Sequence, residues 1–212
     1  MSAKVVAIIG TYRKNHVTDT AVSHVLESAE RQGAKVHRIY LIDRHIEFCT
    51  NCRACTQQQG DARGKCPIDD DMSAILDRVE SADALVLASP VNFFSVTAVT
   101  KRFQERLVCY AYWPWESGAP KFRMKKATKP AVIVTSAACP APLARILIRG
   151  SIKGLKSIAR CVGARVVKTL YFGMVATTPQ GNLTQKERIR CRNAGFKLIN
   201  SARGSDRPAA PA

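Results

Sequence analysis

Residues 4–18 read KVVAIIGTYRKNHVT and contain the transition that decides the fold. Lys4–Ile9 is rich in β-branched residues, which is typical of a buried strand. Gly10 then opens a polar turn, and we expect Thr18 to cap the helix that follows. A buried strand, a glycine turn and a helix form the first unit of an α/β fold with a parallel sheet.

The same alternation continues along the chain and predicts five strand–helix units in one domain. The further strands are predicted at Val36–Tyr40, Ala84–Ala88, Ala131–Thr135 and Arg165–Phe172. The helices are predicted from Thr18 to about Gln32 with Gly33 at C′, from Asp69–Asp71 to about Ser81, at Val96–Cys109, at Leu143–Val162, and from the capping box Thr184–Glu187 to about Ala202. We therefore expect a doubly wound five-stranded parallel sheet in the order 2-1-3-4-5.

Two segments interrupt the alternation. Residues 41–68 form a long connection with four cysteines, and residues 110–129 form an aromatic and basic insertion that suits a lid or an interface. Long connections in compact domains are usually functional. Residues 204–212 are expected to be a disordered tail, which leaves residues 1–203 as the single domain.

Composition and charge exclude several classes of protein. The 46% of apolar residues excludes a disordered chain, and no run approaches the about 18 apolar residues that a membrane span needs. Lys and Arg number 33 against 16 Asp and Glu, and the net charge of +17 attracts acidic partners. Eight cysteines without an export signal predict thiols or a metal site, and a cytoplasmic location.

Two turns that follow predicted strands are candidate ligand contacts. Gly10–Thr18 places hydroxyls and Arg13 before a helix N-terminus, which is an arrangement that binds anions. An ordinary polar turn is the alternative, since the stretch matches neither a Walker A loop nor GxGxxG. Ser89–Ser95 follows the third strand, whose carboxyl end lies beside that of the first in the 2-1-3-4-5 order. Its proline, aromatic residues and free amides suit a flat heteroaromatic ring.

Both turns resemble those of the flavodoxin-like NADPH-dependent FMN reductase family. Gly10–Thr18 is similar to the GSPRKNGNT loop of that family, and Ser89–Arg106 (SPVNFFSVTAVTKRFQER) is similar to its SPVYFGSVTAQMKAFLDR segment. Asp70–Met72 and Ala82–Asp83 also stand where the family has them. The resemblance covers roughly residues 4–136, and the cysteines make it closest to the iron–sulfur flavoprotein subgroup.

The resemblance implies a flavodoxin-like fold, bound FMN and a flavin-dependent oxidoreductase activity. It implies a phosphate loop whose contacts are Thr11, Arg13, His16, Val17 and Thr18. It further implies an isoalloxazine ring between two loops, with contacts from Pro90, Val91, Asn92, Phe93, Phe94 and Ser95 on one side and from Thr135, Ser136 and Ala137 on the other.

The chain departs from the family pattern at both loops. Tyr12 replaces proline, and His16 and Val17 replace glycine and asparagine, although His16 still offers a donor to a phosphate. Asn92 stands in place of tyrosine, which removes one aromatic contact to the ring.

Cys49, Cys52, Cys55 and Cys66 form a second candidate site. Three thiolates at x2 spacing can converge on one cluster, and a cysteine before a proline is typical of bacterial ferredoxins. The spacing predicts a [4Fe–4S] cluster, although the gap before Cys66 is longer than in iron–sulfur flavoproteins. Free redox-active thiols, or zinc completed by His45, are the alternatives. The dispersed cysteines are expected to be packed small residues: Cys109, Cys139, Cys161 and Cys191.

These features predict an FMN-binding electron-transfer flavoprotein whose cluster exchanges electrons with FMN. An NAD(P)H-dependent FMN or quinone reductase without a cluster is the first alternative, and a non-enzymatic basic binding module is the second. No general acid or base is expected. The resemblance implies a homo-oligomer, nucleic acid is not an expected partner, and no membrane span is expected, although attachment to a membrane surface is a further reading of the basic charge. A basic stripe forms either a solvated face or a docking site for an acidic ferredoxin-like donor: Arg145, Arg149, Lys153, Lys156 and Arg160.

Overall fold

Apolar runs of the sequence form a central sheet. The structure is a computed structural model that describes residues 2–140, 143, 148–175 and 182–205. The strands among the described residues are β1 (Lys4–Ile9), β2 (Lys35–Tyr40), β3 (Ala84–Ala88), β4 (Val91–Asn92), β5 (Ser95–Val96), β6 (Ala111–Tyr112), β7 (Lys121–Phe122), β8 (Lys129–Ser136) and β9 (Ala164–Phe172). Five of them make one parallel sheet in the order β2-β1-β3-β8-β9, which confirms the predicted topology. The short pairs β4–β5 and β6–β7 are antiparallel and lie outside this sheet.

Helices cover both faces of the sheet. They are α1 (Val17–Glu30), α2 (Met72–Glu80), α3 (Ala98–Arg106), α4 (Arg149–Cys161) and α5 (Gln185–Ser205). Alternate strand residues point to opposite faces, so that Val5 and Ala7 pack with α1 and α5, while Val6 and Ile8 pack towards α2, α3 and α4. Within the described part of the chain, no helix has both the length and the apolar composition of a membrane span.

The N-cap of α1 lies two residues earlier than predicted. The helix begins at Val17, and His16 is the N-cap residue, so the prediction that Thr18 caps this helix is wrong. Asn15 has a φ of 63° and donates its backbone N–H to the Asp19 carboxylate at 2.7 Å. This bond closes the turn and leaves Thr18 inside the helix.

The helix predicted at Val96–Cys109 is shorter in the structure. Val96 belongs to β5, and the Thr97 hydroxyl caps α3 by accepting the Thr100 N–H. A 3₁₀ turn at Leu107–Tyr110 follows Arg106. The helix predicted at 143–162 is described as α4 from Arg149, and residues 144–147 lie outside the described residues.

The last helix begins where its capping box predicts. Thr184 donates its N–H to the Glu187 carboxylate at 2.9 Å, and Glu187 donates its N–H to the Thr184 hydroxyl at 3.3 Å. The helix continues to Ser205, so the first two residues of the predicted tail are helical. Residues 206–212 lie outside the described residues.

Two helical glycines provide a matched test of this packing. A Cβ on Gly195 would lie 2.3 Å from the Val25 carbonyl oxygen of α1, whereas a Cβ on Gly154 would make an ordinary 3.5 Å contact with Val96. We expect Gly195→Ala to lower the free energy of unfolding by about 1–3 kcal/mol, because α1 and α5 must separate. Gly154→Ala should raise it by about 0.5–1 kcal/mol, because alanine favours a helix. Urea denaturation of both variants measures the difference, and a destabilised Gly154→Ala would contradict this account.

Candidate functional site

Gly10 joins the two candidate loops at the carboxyl edge of the sheet. Its N–H donates to the carbonyl oxygen of Ala88 at 2.8 Å, and its own carbonyl accepts the Thr97 hydroxyl at 2.5 Å. A Cβ at this position would lie 1.7 Å from the Thr100 hydroxyl oxygen. Only glycine therefore permits this contact, which holds the loop after β1 against the segment that follows β3.

The loop after β1 leads to an uncapped helix N-terminus. His16 has an extended backbone, and its side chain makes no hydrogen bond to the first turn of α1. Arg13 donates to the His16 Nδ1 atom at 2.6 Å, so this nitrogen is the acceptor and the proton lies on Nε2. The Thr11 hydroxyl is buried and accepts the Arg13 N–H at 3.2 Å. Free amides, a helix dipole and a guanidinium make this turn suitable for an anion.

Two residues with hydroxyl groups, Thr135 and Ser136, lie at the end of β8 at the same edge of the sheet. The Thr18 hydroxyl in α1 is hydrogen-bonded to the Ser136 hydroxyl at 2.8 Å, and both groups are buried. Thr135 is also fully buried, yet its hydroxyl has no hydrogen-bond partner in the structure as described. A buried polar group without a partner costs about 1–3 kcal/mol, so a polar ligand atom at this position would be stabilising.

The residues after Pro90 form a tight hairpin. Phe93 and Phe94 are the two central residues between β4 and β5, with φ values of 45° and 63°. Positive φ at both positions is the geometry of a type I′ turn, which normally contains asparagine and glycine. A left-handed conformation costs about 1–2 kcal/mol for a residue with a Cβ, so this turn is strained.

The carboxyl edge therefore fits the chemistry of FMN. An anionic group would meet the N-terminus of α1, and a flat polar ring would meet the Pro90–Ser95 hairpin and the Thr135–Ala137 segment. The candidate residues of the three segments are brought to one edge by the parallel order of β1, β3 and β8. The individual contacts to the cofactor remain predictions.

The cysteine-rich segment lies outside the sheet and carries free thiols. Cys55 is buried, Cys52 is exposed, and Cys49 and Cys66 are half-buried. Burial, with smaller contributions from the charges of Cys66, Cys49 and Cys52, raises the pKa of the Cys55 thiol to about 11. The four thiols are thus near enough to interact, and four cysteines are the usual ligands of a [4Fe–4S] cluster. Among the residues that the structure describes, however, no three His, Cys, Asp or Glu side chains are arranged as metal ligands.

A fifth thiol lies beside this group. Burial raises the pKa of Cys109 to about 12, and the charges of Cys55 and Cys66 contribute to the shift. Cys109 lies in the 3₁₀ turn that follows α3, and its carbonyl oxygen accepts the Gly64 N–H at 2.8 Å. No local pattern predicts this proximity, because Cys109 is more than 40 residues from Cys66 along the chain.

The aromatic insertion holds the cysteine-rich segment in place. The guanidinium of Arg53, in a left-handed backbone, lies 3.8 Å from the ring centre of Trp113 and 4.4 Å from that of Trp115. Arg123 is buried and donates to the carbonyl oxygens of Cys55 and Cys109, each at 3.2 Å. The insertion therefore packs against the segment that carries the thiols and restrains its backbone.

A buried ion pair anchors the other end of the segment. Arg106 pairs with Asp70, and it also donates to the Glu47 carbonyl at 2.9 Å and to the Cys66 sulfur at 3.5 Å. Burial alone would raise the pKa of Asp70. Hydrogen bonds from Arg106 and from the N–H groups of Glu47 and Met72 outweigh it and hold that pKa below its ordinary value.

The basic stripe on α4 is exposed as predicted. Arg149, Lys153, Lys156 and Arg160 face solvent, while Leu155 and Ile158 are buried against the sheet. Arg145 lies outside the described residues. The sequence contains no Asp or Glu between residues 116 and 187, so this part of the chain is uniformly positive.

Comparisons with known proteins agree with this geometry. The sequence profile of the family described as NADPH-dependent FMN reductase matches residues 3–177. An iron–sulfur flavoprotein of Archaeoglobus fulgidus is 34% identical over 115 residues, which are 54% of this chain and 50% of that protein. An iron–sulfur flavoprotein of Methanocaldococcus jannaschii is 34% identical over 103 residues, 49% of this chain and 51% of that protein. The chain thus matches about half the length of each of these relatives.

A solved structure supports the fold. An FMN-dependent NADH-azoreductase from Bacillus anthracis, determined in complex with FMN, superposes with a TM-score of 0.67 over 93% of this chain and 100% of that one. The sequence identity between the two chains is 15%, so the similarity is one of fold. Together with the strand order, this similarity confirms the flavodoxin-like fold that the sequence predicts.

The Arg106–Asp70 pair generates a stability prediction. Arg106→Met leaves a buried carboxylate without its partner, so we expect the free energy of unfolding at pH 7 to fall by about 3–5 kcal/mol. Asp70→Asn combined with Arg106→Met should recover part of the loss. Lys101→Met is the control, because Lys101 pairs with Glu105 on the surface at 3.6 Å and should contribute less than about 1 kcal/mol.

The same pair predicts a pH dependence. The folded-state pKa of Asp70 is lowered, so its stabilising effect is complete above the unfolded pKa of about 3.9 and is lost as the pH falls below it. The difference in the free energy of unfolding between wild type and Arg106→Met, measured by urea denaturation, should therefore become smaller as the pH is lowered. A difference that stays constant in acid would contradict this assignment.

Proposed function

This chain belongs to the NADPH-dependent FMN reductase family, and on that premise we propose that it is a flavin-dependent oxidoreductase that binds FMN at the Gly10 edge. The observation that carries the proposal is the junction of three loops at this edge. Gly10 holds the helix N-terminus of α1 beside the hairpin after Pro90, and the Thr18–Ser136 bond holds it beside the end of β8. An anion-binding turn and a ring-binding turn are thus fixed side by side.

The phosphate of FMN would bind at the start of α1. The amides of Val17 and Thr18, the hydroxyl of Thr11 and the side chains of Arg13 and His16 are the groups available there. Arg13 has five N–H donors, so its bond to His16 leaves others for a phosphate oxygen. The N-terminal dipole of a 14-residue helix adds to the attraction.

The ring of FMN would lie between the hairpin and the end of β8. On one side the hairpin offers backbone amides and carbonyls from Pro90 to Ser95. On the other, the unpartnered Thr135 hydroxyl and the Ala137 segment offer polar contacts. Bound FMN supplies hydride and single-electron transfer, while these residues bind and orient it and exclude water.

A [4Fe–4S] cluster on Cys49, Cys52, Cys55 and Cys66 is the second part of the proposal. The donor set has the right chemistry, and the two curated relatives described above are named iron–sulfur flavoproteins. Two buried arginines, Arg106 and Arg123, and the half-buried Arg53 position the segment, which is a costly arrangement for thiols with no further role. A reductase that takes electrons from NAD(P)H and has no cluster is the alternative, and iron analysis distinguishes the two.

The partners of the protein are proposed on electrostatic grounds. The uniformly positive α4 face would favour approach of an acidic ferredoxin-like donor. A homo-oligomer and a cytoplasmic location remain predictions from the resemblance and from the cysteine content.

Arg13 and Lys14 provide a matched test of the FMN site. Arg13→Ala removes a charge-assisted donor from the cradle, so the Kd for FMN should rise about ten- to hundredfold. Lys14→Ala removes the same charge, but Lys14 pairs with Asp43 at 2.6 Å and should have little effect. Flavin fluorescence quenching measures both, and an equal effect of the two variants would show that net charge alone determines the affinity.

The cysteine-rich segment predicts an iron content. Protein purified without oxygen should contain about four irons per chain with matching sulfide. Cys52→Ser should lose the iron and keep FMN, whereas Cys191→Ser, at a buried thiol in α5, should keep both. Wild-type protein with FMN and no iron would support the cluster-free reductase.

A further inference from the structure

Phe93 and Phe94 project from the edge at which the flavin ring is proposed to bind. Their relative exposures are 92% and 62%, and their rings contact each other edge to face with centroids 5.8 Å apart. Both have positive φ. Exposed rings in a strained turn are unfavourable for the chain alone, and strain of this kind persists where a site uses it.

The base of the hairpin is packed and hydrogen-bonded to its neighbours, which gives the two rings a defined position. Val96 is buried and packs against Gly154 of α4, and Gly150 of the same helix approaches the Phe94 carbonyl oxygen closely. Thr97, which follows β5, bonds to Ser89 and to Gly10. The rings are therefore held by the sheet and by α4, and their side chains are left to meet a ligand.

The neighbouring loops make the same edge apolar. Tyr12, in the loop after β1, is 44% exposed, and Met174, in the loop after β9, is 50% exposed. Exposed apolar side chains thus follow three parallel strands at their carboxyl ends. An uncharged ring would gain from this surface, whereas a small inorganic ion would gain little.

We propose that Phe93 and Phe94 determine the specificity for the electron acceptor by binding the ring of a flat, uncharged aromatic compound beside the flavin. Two phenylalanines that pack edge to face present one ring face and one ring edge to a ligand. A ligand ring can therefore stack on the face or pack against the edge, and aromatic pairs prefer these two arrangements. This inference rests on the proposed function, since it concerns the second substrate of the same site.

The test separates the acceptor from the flavin. FMN-loaded protein is reduced with dithionite and mixed without oxygen with a naphthoquinone or with ferricyanide, and the rate constant of reoxidation is measured. Phe93→Ala combined with Phe94→Ala should lower the ratio of the naphthoquinone rate constant to the ferricyanide rate constant about tenfold or more, because the ratio cancels any change in the flavin itself. Phe196→Ala, at a 57% exposed residue of α5, is the matched control and should change neither.

Phe94→Gly distinguishes a role of this residue in binding from a role in stability. Glycine adopts positive φ without strain, so the urea midpoint of unfolding should rise. The rate constant for the naphthoquinone should nevertheless fall, because one ring is lost. Higher stability together with slower reoxidation is the expected signature of a residue retained for binding.

Three results would overturn the inference. Unchanged rate constants in the double variant, with normal FMN affinity, would refute it and leave the proposed function intact. Dissociation of an oligomer in the double variant, with unchanged rate constants, would show that the rings pack against a second copy of the chain. A wild-type protein that binds no FMN would overturn the proposed function and this inference together.

Discussion

The backbone of Gly10 is the constraint on which the candidate FMN site depends. It is bonded to Ala88 at the end of β3 and to Thr97 at the start of α3, so three separate segments share one small region of backbone. The Thr100 side chain leaves no space for a Cβ there. The same Thr97 hydroxyl caps α3. A change at Gly10 would therefore alter the anion-binding turn and the ring-binding hairpin together.

Arginine has two different uses in this basic chain. Arg53, Arg106 and Arg123 turn inwards, where they stack on tryptophans, pair with Asp70 or bond to backbone carbonyls around the thiols. The cations of α4 face solvent and have no role in packing its buried side. The high positive charge thus combines structural guanidinium groups near the cysteines with a surface field that attracts acidic partners.

The sequence pattern predicted those elements whose structure depends mainly on residues close together in the chain. Lys4–Ile9 and Ala84–Ala88 were predicted with their observed bounds, because short buried apolar runs are strands in this fold. The β4–β5 hairpin was not predicted, because Phe93 and Phe94 are not the residues that a type I′ turn normally contains. The proximity of Cys109 to the thiols and the inward turn of Arg123 depend on contacts between distant segments, which periodicity does not report.

The most direct test of the central claim is calorimetric titration of the flavin-free protein with FMN and with riboflavin, which lacks the phosphate. The account predicts that FMN binds in a one-to-one ratio and that riboflavin binds at least about tenfold more weakly, because the N-terminus of α1 and Arg13 bind the phosphate. Equal affinities, or no binding of FMN, would contradict it.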